Sequence, residues 1–389
     1  MRAHALLSPS SAERWLSCTP SARLEENFPD RAGEAAAEGT VAHALGELLL
    51  QFAKGDISQK KYSAELKKIG ESEYYSEDMF HIMCGYRDFV LSAWQEAKKI
   101  TPDAELLLET KLDLREWVED GFGTGDAQII ADRTLRIIDL KYGKGVVVSA
   151  QNNKQMMLYA LGAIREALIF YDIEEVTMTI YQPRTDNVSD FTMKVADLLE
   201  WADGELKPRA EMAYAGEGDF KVGNHCLFCK AKVRCRAYAK KQLEIAKYEF
   251  RNADLLNEEE VADILDRASD LKNWLGKVEE HALTEAVENG VRWPGYKLVE
   301  GRSNRMYADQ DKVAEKLTES GIPEAIIYEK KMLGITAMEK AITKKTFTEL
   351  LSDLIIKPQG KPTLVPESDK RPEWSSTESA VNDFKDIEI

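Results

Sequence analysis

Polar and apolar residues alternate most sharply near the middle of the chain. Asp126-Ala-Gln-Ile-Ile-Ala131 and Ile137-Ile-Asp-Leu-Lys141 are short apolar runs broken by acids, and a polar turn at Asp132–Thr134 separates them. The pattern predicts a hairpin of two strands. An apolar strand over Glu105–Leu112 precedes it, and the β-rich run Val176–Tyr181 supplies another. Between these lies a helix over roughly 150–168, and a further helix follows near 196–213. Residues 1–100 read as helices, including one around 75–99 and one that carries His43. The order β-β-β-α-β with helices outside predicts an α/β protein with a mixed central sheet.

Beyond about residue 245 the periodicity becomes helical. Leu255, Val261, Ile264, Leu265, Leu271, Trp274, Leu275, Val278 and Leu283 recur at helical spacing, predicting a long amphipathic helix or helical pair over 255–289. Gly295–Arg305 reads as a strand and turn with two arginines, and helices are expected around 309–320, 323–343 and 345–354. From Pro366 onward the chain is rich in Ser, Pro and charge, and disorder is expected. The predicted organisation is a core over 1–245, a mainly helical accessory region over 246–365 and an acidic tail over 366–389.

The chemistry starts on the hairpin. Side chains alternate faces along a strand, so Asp139 and Lys141 point the same way, about 7 Å apart. A short turn places Asp126 almost opposite Asp139. Two carboxylates and a lysine then share one face, an arrangement suited to holding a divalent cation and activating water against a phosphate. Glu109, on the preceding strand, is a further acid near this site. Five cysteines without a signal-peptide layout suggest a reducing compartment. Cys84 lies in an apolar run and reads as a core thiol. Cys18 stands far upstream of Cys226-x-x-Cys229-x5-Cys235, and four such thiols suit tetrahedral zinc or a [4Fe–4S] cluster. His225 is a substitute ligand in the zinc case. Ser10 and Glu13 are placed to form a capping box on a short helix before Cys18.

The order of acid, then acid-x-Lys, in Asp126, Asp139 and Lys141 resembles the PD-(D/E)XK nuclease superfamily. One cysteine before that core and three after it resemble the iron–sulfur branch of RecB-like nucleases, found in AddAB-type helicase–nucleases and CRISPR-associated adaptation nucleases. Glu38-Gly39-Thr40-Val41-Ala42-His43 looks like that family's Gly-Thr-x-x-His motif. Thr40 is expected to cap its helix, with His43 in the first turn and Glu47 one turn on. Gln155-x-x-x-Tyr159 resembles the Gln-x-x-x-Tyr motif. The segment Gly-Tyr-x-Leu-x-Glu-Gly-Arg-Ser at 295–303 looks like phage and prophage members.

The resemblance implies a restriction-endonuclease-like core whose ends are stapled by a cluster on Cys18, Cys226, Cys229 and Cys235. It implies Mg²⁺ or Mn²⁺ on His43, Asp126, Asp139 and the carbonyl of Leu140, with Lys141 orienting water. Gln155 and Tyr159 would position the DNA strand, and Glu47 or Glu109 could serve a second ion. Zinc is the alternative staple.

Composition sets the boundaries. Hydrophobic residues make up 44% and charged residues 31% of the 389, as in soluble globular proteins, and no apolar run reaches membrane-spanning length. A net charge of −16 argues against a general DNA coat. Positive charge is concentrated at Lys221, Lys230, Lys232, Arg234, Arg236, Lys240 and Lys241, a stretch without acids and the candidate DNA-facing surface. No P-loop is present, so any unwinding would come from a partner. The reading is a metal-dependent DNA nuclease, an exonuclease favoured over an endonuclease, serving phage recombination, repair or replication. The alternative is a non-catalytic iron–sulfur subunit for DNA binding or assembly. Expected partners are DNA, a single-strand-binding or annealing protein, or a helicase. Homo-oligomerisation is left open, no membrane is expected, and the location is cytoplasmic, in a bacterial host if the gene is a phage's.

Overall fold

Alternating apolar residues build a five-stranded mixed sheet. Its strands are β1 (Glu105–Asp113), β2 (Phe122–Ala131), β3 (Thr134–Leu140), β4 (Glu175–Gln182) and β5 (Asn187–Lys194), in that spatial order. The first three form an antiparallel meander, β4 joins β3 in parallel, and β5 returns antiparallel to β4. The computed structural model describes residues 5–29, 34–168, 171–244, 256–299, 307–328, 332–355, 365 and 369–370.

Helices cover both faces of the sheet. The N-terminal set is α1 (Ala12–Ser17), α2 (Ser21–Glu25), α3 (Glu34–Lys54), α4 (Gln59–Gly70) and α5 (Glu77–Ile100). The crossover α6 (Lys154–Ala167) links β3 to β4, and α7 (Val195–Trp201) runs through a π-turn into α8 (Lys207–Ala215). Two apolar layers result. One packs Leu112, Leu135, Ile137, Val176 and Ile180 against α6 and α1, and the other packs Leu106, Ala127, Ile129, Ile138 and Leu140 against α3 and α5. Burial of both sheet faces explains why the strands are nearly continuous apolar runs.

Short α9 (Arg236–Leu243) follows the cysteine segment. The expected long amphipathic helix is α10 (Glu258–Glu288), and α11 (Gln310–Glu319), α12 (Glu324–Ile327), α13 (Ile335–Ile342) and α14 (Lys344–Leu351) come after it. The chain divides into two units, Met1–Leu283 and Thr284–Ile389. The second is helical, with Phe347 buried in it. No helix among the described residues is long and apolar enough to cross a membrane.

Several local expectations are corrected. Helix α3 begins by Glu34, so Thr40 lies inside it; the Thr40 hydroxyl donates to the Ala36 carbonyl, and His43 sits in the third turn. The helix formers Glu34-Ala-Ala-Ala-Glu38 carry the helix upstream of the supposed cap. Ser10 and Glu13 form no capping box. A 3₁₀ turn at Pro9–Ser11 leads into α1, and the Ser8 and Ser11 hydroxyls bond each other instead. The helix expected over 323–343 is two, and 295–299 do not form a strand. Residues 300–306 and nearly all of the tail lie outside the described residues.

Strand β5 went unread because it is polar. Its residues alternate between half-buried and exposed, as at a sheet edge. The β2–β3 connection is only Asp132-Arg133, closed by the pair Ala131–Thr134. Arg133 takes a left-handed φ of 61°, and its carbonyl accepts from the Glu174 and Glu175 amides at the head of β4.

Helix α6 crosses β1 very closely at Gly162, where an added Cβ would stand 2.7 Å from the Leu112 Cβ. That atom belongs to no flexible tip, so overpacking outweighs the roughly 1 kcal/mol of helix propensity that alanine adds. Gly162→Ala should lower stability by about 1–2 kcal/mol, read as a reduced urea midpoint at unchanged slope.

Candidate functional site

The register brings three carboxylates into one row. Leu108–Ala127 and Thr110–Gly125 pair across β1 and β2, which sets Glu109 opposite Asp126. Ala127–Ile138 pairs across β2 and β3, and one step further Asp126 faces Asp139. The row thus runs Glu109, Asp126, Asp139 over three adjacent strands.

The pleat itself changes at this row. Leu106 packs into the α3/α5 layer, whereas Leu112, an even number of residues on, packs into the α6 layer. In β2, Ala127 belongs to the α3/α5 layer, while a Cβ on Gly123 would meet Tyr159 of α6 at 3.1 Å. Both strands reverse their facing around Glu109 and Asp126. Glu109 supports the reversal with φ 47°, a left-handed conformation that costs a non-glycine residue about 1–3 kcal/mol. Strain of this kind persists where surrounding structure enforces it.

Two helices and the exit of β3 complete the site. From α3, His43 Nδ1 lies 3.3 Å from Asp126 Oδ1, and the Leu140 amide donates to Asp126 Oδ2 at 2.7 Å. Just past β3, Lys141 Nζ lies 2.9 Å from Asp139 Oδ2, and it donates to Gln155 Oε1 at 3.0 Å. From α6, Gln155 Nε2 donates to Asp139 Oδ1 at 3.2 Å and to the Tyr159 hydroxyl at 3.0 Å. Asparagine 153 caps that helix through Met156 N–H, fixing where Gln155 and Tyr159 start. Asp139 is buried, and its Oδ2 faces Lys141 without hydrogen-bond alignment.

The electrostatics follow from crowding. Burial raises Glu109 to about 7, helped by Asp126 and Glu47. Burial also raises Asp139 above the ordinary carboxylate range, against the pull of Lys141. For His43, burial of the ring opposes its charge, but the Asp126 carboxylate more than offsets this, and with Asp139 carries it up to about 9. Tyr159 is held well above its usual value by burial and then by Asp139.

One ligand group converges among the described residues: His43, Glu109 and Asp126 offer atoms all within 4.8 Å of one another. The structure therefore brings together His43, Asp126, Asp139, Lys141, Gln155 and Tyr159, and it adds Glu109 to the group whose ligand atoms converge. Asp139 stands beside that group, tied to Lys141 and Gln155, and Leu140 contributes its amide to Asp126. Glu47 stays apart, accepting from Gln51 at 2.6 Å. The signal for Glu109 was its place one strand before Asp126; only the register shows that it lies directly across.

The cysteines meet elsewhere. Cys18, Cys226, Cys229 and Cys235 line one small cavity of about 20 Å³, which His225 and Arg14 also border. All are free thiols, and burial, then Glu25, pushes Cys229 up to about 12. His225 is turned to the Lys221 carbonyl at 2.9 Å. The two chain segments are also laced without sulfur: Glu25 accepts from Arg14 at 2.7 Å and from the Lys230 amide at 2.6 Å, and Thr19 donates to the Glu217 carbonyl at 2.6 Å. Cys84 is half-buried on α5.

Of the basic stretch, Lys221, Lys230, Arg234, Arg236, Lys240 and Lys241 are exposed. Lys232 is not a free cation: it is half-buried, donates to the Leu227 carbonyl at 2.6 Å, and burial lowers its pKa. Phe228 and Leu227 stand exposed among these charges.

The fold is thus a mixed α/β sheet protein with an acid-rich row at its centre and a four-thiol lobe beside it. A family model described as "Protein of unknown function (DUF2800)" matches residues 4–372, and the chain belongs to that family. Among solved structures, "Crystal structure of SSO0001" overlaps 57% of this chain and 95% of its own at 15% identity, with a TM-score of 0.21, too slight a likeness to argue from.

The raised His43 has a measurable consequence. Its folded pKa of about 9 exceeds the ordinary value near 6.5, so its stabilising contribution is complete below about 6.5 and is lost as pH rises through about 9. In chelator, the melting-temperature gap between wild type and His43→Gln should be widest near pH 6 and close by about pH 9.5.

Proposed function

We propose that the chain is a divalent-ion-dependent nuclease of the PD-(D/E)XK type, acting on DNA and most simply as an exonuclease. The row of three acids with Lys141 locked beside Asp139 carries this reading. The donor set fits a hard cation: carboxylates and one imidazole converge, and Glu109 and His43 hold protons that an ion would replace. His43, Glu109 and Asp126 would hold Mg²⁺ or Mn²⁺, with Asp139 beside them. Such an ion supplies a Lewis acid for the scissile phosphate and lowers the pKa of bound water.

The chain's own groups do the rest. Lys141 places its ammonium where negative charge grows on the phosphate. Gln155 holds Lys141 with one end of its amide and Asp139 with the other, so both keep their aim when a substrate arrives. Tyr159, linked to Gln155, borders the path of the nucleotide. Exposed Lys221, Lys230, Arg234, Arg236, Lys240 and Lys241 would meet the DNA backbone, offsetting a chain that is acidic overall. A phage role in recombination, repair or replication rests on the sequence resemblance.

The test is cleavage of end-labelled linear DNA and a closed circle with Mg²⁺ or Mn²⁺. Wild type should degrade the linear form, while Asp139→Ala and Lys141→Ala should lose at least about 10³-fold in rate without loss of fold. Mn²⁺ affinity should rise between about pH 6 and 9, as Glu109 and then His43 shed the protons that the ion displaces. Undiminished DNA binding with no cleavage by wild type would favour a scaffold subunit instead.

For the thiol lobe we propose a [4Fe–4S] cluster on Cys18, Cys226, Cys229 and Cys235. The four thiols line one shared cavity, which supports a single bound group, and the order of one cysteine before the core and three after it supports the cluster over zinc. Anaerobically purified protein should contain iron and acid-labile sulfide, and Cys18→Ser should lose most of both; stoichiometric zinc in wild type would overturn the assignment.

A further inference from the structure

One buried polar group near the acid row has no partner. Tyr86, on α5, is 2% exposed, yet its hydroxyl makes no hydrogen bond. Buried hydroxyls without partners are rare in folded proteins, and each such group calls for an explanation. The location supplies one. The ring lies against α3 at Gly46, where an added Cβ would stand 3.1 Å from Tyr86 Cδ1 and 3.3 Å from Cε1. Gly46 is three residues after His43 and adjacent to Glu47, on the stripe of α3 that faces the sheet. Tyr181 holds the ring from the other side, with centroids 5.6 Å apart. The missing side chain at Gly46 lets the phenol reach inward between α3 and β2.

Nothing in the site as described uses this hydroxyl. Besides burial, the groups that bear on it are Asp126, Asp139 and Glu109, the three members of the row, and then the neighbouring Tyr181. No carboxylate oxygen is within hydrogen-bond reach, so the hydroxyl's hydrogen bonding is left to a small polar molecule.

We propose that the Tyr86 hydroxyl is an outer-sphere positioning group for the ion site, the partner of a water molecule held by the divalent ion. This inference rests on the ion site proposed above. Mg²⁺ dehydrates reluctantly and keeps several waters, and each needs a partner in a closed site. A neutral phenol both donates and accepts, so it can serve a water without adding charge to an already crowded row. Outer-sphere partners of this kind typically tune metal affinity 10- to 100-fold.

The test compares wild type, Tyr86→Phe and Asp126→Ala, all full-length, by titration with Mn²⁺ and by melting temperature with and without it. Tyr86→Phe removes one oxygen and preserves the packing. It should bind Mn²⁺ about tenfold more weakly, melt no lower than wild type in chelator, and gain less from added Mn²⁺. Unchanged Mn²⁺ affinity would overturn the proposal. A lower melting temperature in chelator with unchanged affinity would also overturn it, identifying a structural water independent of the ion. Asp126→Ala separates the two readings: if it binds Mn²⁺ as wild type does, the ion site itself fails; if it loses binding while Tyr86→Phe does not, only the role of Tyr86 fails.

Discussion

Repulsion among Glu109, Asp126 and Asp139 is the constraint to which the rest of the structure answers. Neighbouring strands lie about 4.8 Å apart, so carboxylates facing each other across three of them cannot all be charged without compensation. The fold compensates from every side. Lys141 stands against Asp139, the protonated His43 ring and the Leu140 amide against Asp126, and Glu109 keeps a proton up to about pH 7. Each layer of the protein sends at least one group to this point: α3 its histidine, α6 its glutamine, the β3 exit its lysine. On the function proposed above, an ion would replace protons already in place.

The four-thiol lobe shows a different economy. Its cysteines come from segments some two hundred residues apart in sequence, and closing so long a loop is entropically expensive. Arg14, Glu25 and Thr19 tie those segments by charged and backbone hydrogen bonds that do not involve sulfur. The lobe is thus assembled by ordinary polar contacts around a small cavity, and the thiols inherit their positions from that scaffold.

Much of the sheet was legible because its strands are apolar on both faces and its hairpin turn is short. The same alternation predicted Asp126 opposite Asp139 with Lys141 alongside, and the register agrees. What escaped were features that local pattern does not carry. Strand β5 is too polar to announce itself, and the alanine-rich start of α3 hid beneath an apparent threonine cap. The reversal of the pleat at Glu109 was invisible, because a left-handed glutamate has no sequence signature. Nothing in the sequence marks Tyr86, because an unpartnered hydroxyl is a fact of packing alone.

The two-residue turn at Asp132-Arg133 has a consequence for how this chain can vary. The connection from β1 to β2 spans residues 114–121 and is held by burial of Leu114, Trp117 and Val118 in the core. The turn from β2 to β3 has no slack, and its carbonyl is already committed to the start of β4. Side chains alternate with a period of two, so a slip of one residue would turn Asp139 and Lys141 away from Asp126. Every member of the constellation would survive in the sequence, yet Asp139 and Lys141 would leave the row. Spacing at this turn, more than the identity of its residues, is the part of the chain on which insertion and deletion have no freedom.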